Sequence, residues 1–306
     1  MSLFEPPRPP RRSIAELIAD DVLDADLAGL AWLLIDARVP VVVAALARGV
    51  GKTTLLEALL DFLPDDVSRV DLRGRDEDFG WLPEAAGLGW RGGADAAGGA
   101  PRAVVSPERS YLVAAELSMH LPAYTWGAAA RTLVRAASRG YGFGATIHAD
   151  RLEDVHDQLG HPTVGLTEDE LTYLGLVLVV RGWLVPDGTV RRRVVAAHYA
   201  RPLGRDEHGH TQRLPPAVLA ARRDRDGELD HFEWGVLPEI AVRVGHSATT
   251  IEREVAERSA VLSGLARAGK FDVDVVRGAI RQHVRLTAAA GASAPSASPD
   301  AGPHLH

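Results

Sequence analysis

The residues Gly49-Val50-Gly51-Lys52-Thr53-Thr54 combine glycines, one lysine and two hydroxyls at a spacing that suits phosphate chemistry. Glycines let backbone N–H groups turn toward an anion. The lysine adds a compact positive charge, and the Thr after it can hold magnesium where a helix begins. The pattern GxxxxGK[ST] asks for Gly where this chain has Leu46, so the first turn of the loop is altered. The backbone donors that follow do not depend on that residue. The predicted nucleotide-binding residues are Arg48, Gly49, Val50, Gly51, Lys52, Thr53 and Thr54, with Thr53 as the metal ligand. Composition singles out the lysine further. Of 34 basic residues only Lys52 and Lys270 are Lys, and an ammonium on a flexible stem does not do the work of a planar guanidinium. Lys270, in Ala-Gly-Lys-Phe, reads as a solvated turn residue.

Two further side chains are candidates for catalysis. Glu116 lies near the end of the apolar run Tyr111 to Leu117, from which a carboxylate can reach a ligand beyond the strand ends. Such an acid orders the magnesium shell or the attacking water. His148 ends another predicted strand and could polarise or sense a terminal phosphate.

Other clusters carry less. His208-Gly209-His210, with His198 or His231, could meet a metal, but no acid or His spacing completes a site, so a solvated loop is expected. Arg131, Arg135 and Arg139 recur every four residues on one helix. Without interleaved aromatics they read as a solvated or interface face rather than a nucleic-acid stripe. Tyr124 and Trp126 are expected in the core rather than stacked on a base.

The elements that must hold these residues alternate. Residues 1–12, Pro-rich with three Arg, read as a flexible basic arm. Ser13 and Glu16 form a capping box that opens a helix to about Leu23, and Asp26 caps a second helix through Asp36. Val39 to Ala45 is a continuous apolar run, as in a strand buried on both faces. Lys52 to Leu63 reads as a helix stopped by Pro64, and Ser68 to Leu72 as a strand. Residues 85–101, with six Ala and six Gly, read as a flexible loop. Trp126 to Ser138 reads as a helix, Gly144 to His148 as a strand, and 151–159 as a helix. Leu174 to Arg181 and Val190 to His198 flank Pro186-Asp187-Gly188 as a hairpin. This order predicts an α/β fold, a P-loop domain over residues 13–200 with a mostly parallel sheet and an antiparallel edge. After a loop-rich stretch, 203–233, amphipathic helices over 249–267 (capped by Ser247) and 274–284 suggest a small, mainly helical subdomain over 201–286. Residues 287–306, rich in Ala, Ser, Pro and Gly, are expected to be disordered.

Composition excludes several classes. With no cysteine, disulfides and thiol chemistry are ruled out. No apolar run approaches the roughly 18 residues of a membrane span, and the N-terminus lacks the apolar core of a secretory signal. A cytoplasmic protein is expected. A net charge of −7 disfavours a general nucleic-acid coat.

Taken together, the pieces resemble the type II/IV secretion-system ATPases, motors of pilus assembly, retraction and export. The resemblance rests on Gly51-Lys52-Thr53-Thr54-Leu55-Leu56 after a buried strand, and on Val113-Ala114-Ala115-Glu116, a strand that ends in Glu without a preceding Asp. The His box Thr146-Ile147-His148-Ala149 follows, then Arg181, the Asp187-Gly188 turn and the Arg-rich strand 191–195. It covers roughly residues 13–200. It implies a RecA-like sheet, ATP and Mg2+ as ligands, Lys52 on the β/γ-phosphates, Glu116 on the water and His148 at the γ-phosphate. It also implies a homo-oligomer, a membrane-platform partner, and a place at the inner face of the membrane. Three departures stand out. Leu46 replaces Gly, and the acidic segment before Glu116 has only Asp76-Glu77-Asp78. Only residues 1–12 precede the first helix, where the family carries a large N-terminal domain. Arg73 and Arg75 are the candidates to reach a neighbour's phosphate. A nucleotide-binding regulatory or assembly protein with little hydrolysis is the alternative. A nucleic-acid translocating ATPase is a third reading, weakened by the charge.

Overall fold

The computed structural model describes residues 11–92 and 103–293. Among them are ten strands and nine helices. In chain order they are α1 (Ile14–Ala19), α2 (Ala25–Asp36), β1 (Val41–Ala44), α3 (Lys52–Leu59), β2 (Ser68–Asp71), β3 (Ser110–Leu117), α4 (Ala128–Ala136), β4 (Gly142–Ile147), α5 (Leu152–Gly160), α6 (Glu168–Leu171), β5 (Leu176–Leu184), β6 (Val190–Tyr199), β7 (Gly204–Arg205), β8 (Thr211–Gln212), β9 (Ala217–Arg222), β10 (Leu229–His231), α7 (Leu237–Val244), α8 (Ile251–Arg267) and α9 (Val273–Ser293). Eight strands form one sheet in the order β10-β9-β6-β5-β1-β4-β3-β2. The strands from β5 to β2 in that order run parallel, and β6, β9 and β10 continue the sheet antiparallel. The fold is mixed α/β with a mostly parallel central sheet.

The apolar run at β1 is continuous because both of its faces are covered. Val41 and Val43 pack into a core with α1, α2, α3 and α8. Val42 and Ala44 pack into a second core with α4 and α5. Two glycines in β4 make room for bulk on its neighbours. A Cβ on Gly142 would stand 2.5 Å from the Tyr111 ring, and one on Gly144 would stand 3.0 Å from Leu56.

Several boundaries differ from the sequence expectation. Helix α1 stops at Ala19, because Asp21 takes a left-handed φ of 54°. Only half of its capping box forms: Ser13 accepts from the Glu16 amide, while the Glu16 carboxylate pairs with Arg12. Asp24, not Asp26, caps α2, by accepting from the Leu27 amide. Thr250, not Ser247, is the N-cap of α8.

The expected boundary near residue 200 is not drawn by the packing. Strands β9 and β10, in a stretch read as loop, extend the main sheet, and α7 and α8 contribute to the same core as α2. Close approach of α2 and α8 is possible because Gly29 has no side chain. A Cβ there would stand 2.4 Å from Ser259 Oγ and 2.9 Å from its amide N. Helix α9 runs on to Ser293, so residues 287–293 are helical, and residues 294–306 lie outside the described residues. Of the Gly/Ala-rich stretch, Ala85–Leu88 forms a 3-10 turn with Leu88 buried. Residues 93–101 lie outside the described residues, as do residues 1–10 of the basic arm. Arg11 reaches the Glu57 carbonyl at 2.8 Å and pairs with Asp61, so this end of the arm is pinned to the α3 side.

Candidate functional site

Topology brings the three leading candidates together. Strand β4 lies between β1 and β3, and all three run parallel. Lys52 follows β1 through the glycine turn, His148 follows β4, and Glu116 closes β3. All three therefore emerge at the same, C-terminal edge of the sheet, where open α/β sheets place their ligands. A register shift helps aim Glu116. Ala114 pairs with Ala145 and Leu117 with Ile147, so β3 carries one extra residue there. A bulge of this kind turns a side chain away from its regular direction.

The distances define one cluster. Lys52 Nζ lies 3.1 Å from His148 Nδ1, 3.4 Å from the Ala45 carbonyl oxygen and 3.7 Å from Glu116 Oε2. His148 Nε2 lies 2.7 Å from Glu116 Oε1, and His148 Nδ1 also lies 3.2 Å from the Leu46 carbonyl oxygen. The His148–Glu116 approach is an ion-pair distance rather than a hydrogen bond, and Glu116 Oε1 is buried without a hydrogen-bond partner. Backbone anchors hold the strand ends: Gln158 Nε2 donates to the His148 carbonyl at 2.6 Å, and Thr146 Oγ1 to the Ala115 carbonyl at 2.7 Å. Lys52 and Glu116 are both buried. Burial pushes the Lys52 ammonium's pKa down, and the Glu116 carboxylate opposes that fall.

Gly51, the N-cap before helix α3, adopts φ 93°, and no side chain caps the helix's first turn. Gly49 is also left-handed, at φ 73°. The opening amides of the helix are therefore left for another acceptor, and the helix dipole favours an anion there. Arg48 to Thr54 all line a cavity of about 630 Å³, together with Glu116 and His148. Arg48 and Thr53 are exposed, Val50 is buried, and Leu46, in the place of the missing glycine, is 64% exposed. Fixed amides, a buried ammonium and a facing carboxylate with its imidazole can together bind a polyphosphate and take a proton from a nearby water. Among the described residues no group of three or more His, Asp or Glu could hold a metal.

The cavity also has walls the sequence did not announce. Arg12, Leu17 and Val22 come from α1 and its flanks, Val180 and Arg192 from the β5–β6 hairpin, and His120 and Tyr124 from the segment after β3. No local signal marks them, because each is brought in by long-range packing. Tyr124, expected in the core, is half-buried on this wall, whereas Trp126 packs against the second core as expected.

The weaker candidates are occupied elsewhere. Glu77 is buried and folds its own loop, with the Arg73 and Phe79 amides and Trp81 Nε1 donating to its carboxylate at 2.9, 3.1 and 2.8 Å. Arg75 donates to the Met119 carbonyl at 3.3 Å. Arg131 donates to the Val164 carbonyl, Arg135 pairs with Glu170, and Arg139 pairs with Glu84, so the stripe binds its own chain. Asp206 accepts from the His208 and His210 amides and shapes the β7–β8 turn. His231 sits between Asp24, at 2.8 Å, and Glu233, at 3.3 Å. Lys270 is exposed in the turn after α8.

No protein-family model matches the chain, and no curated protein matches it. Among solved structures, the VirB11 ATPase from the Brucella suis type IV secretion system, in complex with sulphate, is similar at 23% identity. The match covers 55% of this chain and 50% of that one, with a TM-score of 0.35. The Legionella pneumophila ATPase DotB is similar at 14% identity over 61% of this chain and 52% of its own, with a TM-score of 0.31. The chain spans about half the length of each, and the likeness is loose.

Proposed function

We propose that the chain binds ATP with magnesium in the cavity at the start of α3 and hydrolyses it, as a motor-type ATPase of a secretion or pilus system. The observation that carries this reading is the meeting of Lys52, Glu116 and His148 at one sheet edge, over an uncapped helix N-terminus. In this reading the backbone amides from Arg48 to Thr54 hold phosphate oxygens and Lys52 neutralises the β/γ-phosphates. The Thr53 hydroxyl holds magnesium, which screens phosphate charge when bound. Glu116 orients a water and takes its proton, and His148 contacts the γ-phosphate. Residues 13–200 form the ATPase unit, and residues 201–286 complete its sheet and core. A second copy of the chain and a membrane-platform protein are the proposed partners, and nucleic acid is not. The proposed place is the cytoplasm, at the inner face of the membrane. Among the described residues no helix is long and apolar enough to cross a membrane.

One observation favours a second reading, a nucleotide-binding assembly protein with little hydrolysis. Both Glu116 oxygens already face a basic group, His148 at 2.7 Å and Lys52 at 3.7 Å, so a water has to displace these neighbours to reach the carboxylate. Phosphate release with magnesium, with a chelator, and with added DNA separates the readings. Magnesium-dependent turnover that DNA does not stimulate supports the motor. Binding without turnover supports the second reading. No binding removes both.

A further inference from the structure

Strand β6 carries three consecutive arginines. Alternation along a strand sends Arg192 to the face opposite Arg191 and Arg193. The outer two are neutralised within the chain. Arg191 pairs with Asp226 at 3.0 Å, and Arg193 pairs with Asp21, which also takes Arg222 at 2.9 Å. Arg192 meets carbonyls only. Its Nε donates to the Gly49 carbonyl and its Nη1 to the Val190 carbonyl, each at 3.3 Å. No carboxylate pairs with it among the described residues.

A guanidinium has five N–H donors, so most of its donors and its whole charge remain available. They are available on the wall of the same cavity as Lys52, Glu116 and His148. The glycine turn allows the approach. The Arg192 Cδ lies 3.4 Å from where a Cβ on Gly51 would stand, so the side chain lies along the Gly49–Gly51 backbone. A half-buried cation without a counter-charge is costly to hold, and an anion in the cavity removes that cost.

We propose that Arg192 is a second phosphate-binding residue, supplied by the same chain from β6. The inference rests on the triphosphate reading above. Lys52 gives a point charge, whereas a planar guanidinium can take two phosphate oxygens side by side. The ligand class is a diphosphate or triphosphate, since a nucleobase gives this cation no charge to meet. Arg192 also connects the nucleotide to the β5–β6 hairpin, whose Gly182 packs against Val50 of the same turn.

The alternative is that Arg192 only buttresses the loop through the Gly49 carbonyl. Magnesium pyrophosphate and a non-hydrolysable ATP analogue separate the two. They are titrated into the wild type, Arg192→Gln, Arg192→Lys and Lys52→Ala, with melting temperatures recorded. Gln keeps a donor for the Gly49 carbonyl but loses the charge, and Lys keeps the charge. The inference expects Arg192→Gln to bind both probes about tenfold to a hundredfold more weakly, and Arg192→Lys to recover part of that loss. Arg192→Gln binding both probes within about twofold of wild type, while Lys52→Ala loses them, overturns the inference and leaves the triphosphate reading standing. Loss in Arg192→Lys equal to or greater than that in Arg192→Gln identifies a buttress and also overturns it. A folded wild type that binds neither probe removes the triphosphate reading, and the inference with it.

Discussion

His231 gives a stability test with a defined sign. It lies 2.8 Å from Asp24, the cap of α2, and 3.3 Å from Glu233, so it joins β10 to the helix beneath the sheet. Hydrogen bonds to Asp24 and then Glu233 push its pKa up from 6.5 to about 10. The folded chain therefore holds this proton more tightly than the unfolded chain does. The stabilisation is complete below about pH 6.5 and is lost as pH rises through about 10. A fully desolvated group with this rise would contribute roughly 5 kcal/mol. The side chains of His231 and Asp24 are 26% and 38% exposed, and water screens the pair. The expected contribution is about 1 kcal/mol. Urea unfolding of the wild type and His231→Gln should differ by that amount near pH 6. The gap should shrink to under about 0.5 kcal/mol by pH 10.5. A gap that stays constant across this range would refute the reasoning, because it would leave His231 as packing rather than charge.

Three further outcomes follow from the same geometry. Glu116→Gln should bind a non-hydrolysable ATP analogue as the wild type does, yet turn ATP over at least roughly a hundredfold more slowly. Unchanged turnover in single-turnover assays would return Glu116 to a structural role. Gly29→Ala should cost about 2–3 kcal/mol in urea unfolding, because its Cβ would stand 2.9 Å from the Ser259 amide N and 3.0 Å from the Val255 carbonyl oxygen, backbone atoms that yield only if α2 and α8 move apart. A loss below about 0.5 kcal/mol would show that this contact yields easily. His148→Ala should lower affinity for the ATP analogue while leaving ADP affinity unchanged, since a ligand shifts an equilibrium only through differential contacts. Equal weakening of both nucleotides, with a lower melting temperature, would make His148 a packing residue.

The parts of the fold that were legible are those in which local pattern and burial agree. Strand β1 has both faces covered, so its run of valines needs no alternation, and Lys52 is one of only two lysines among the 34 basic residues. Glu116 and His148 were legible as strand-end residues, although their contact depends on β4 lying between β1 and β3. The C-terminal strands were not legible. Ala217–Arg222 is short and rich in alanine, and only its pairing with β6 makes it a strand. Asp24 and Asp26 are equally good caps on paper, and the Leu27 amide decides between them. Arg192 was hidden in a run of three arginines, because what separates it from its neighbours is the absence of a carboxylate partner. His231, with no local sign of a role in the sequence, gains one only because Asp24, 207 positions away, comes within 2.8 Å.

Calorimetric titration of magnesium-ATP into the wild type and Lys52→Ala is the most direct measurement. The cavity at α3 offers amides from both proteins, but only the wild type adds the buried ammonium beside Glu116 and His148. The wild type should bind with one site per chain. Lys52→Ala, with an unchanged melting profile, should bind at least about tenfold more weakly, a loss of roughly 1.4 kcal/mol or more. Equal affinity in the two folded proteins would contradict the assignment of this cavity to a nucleoside triphosphate.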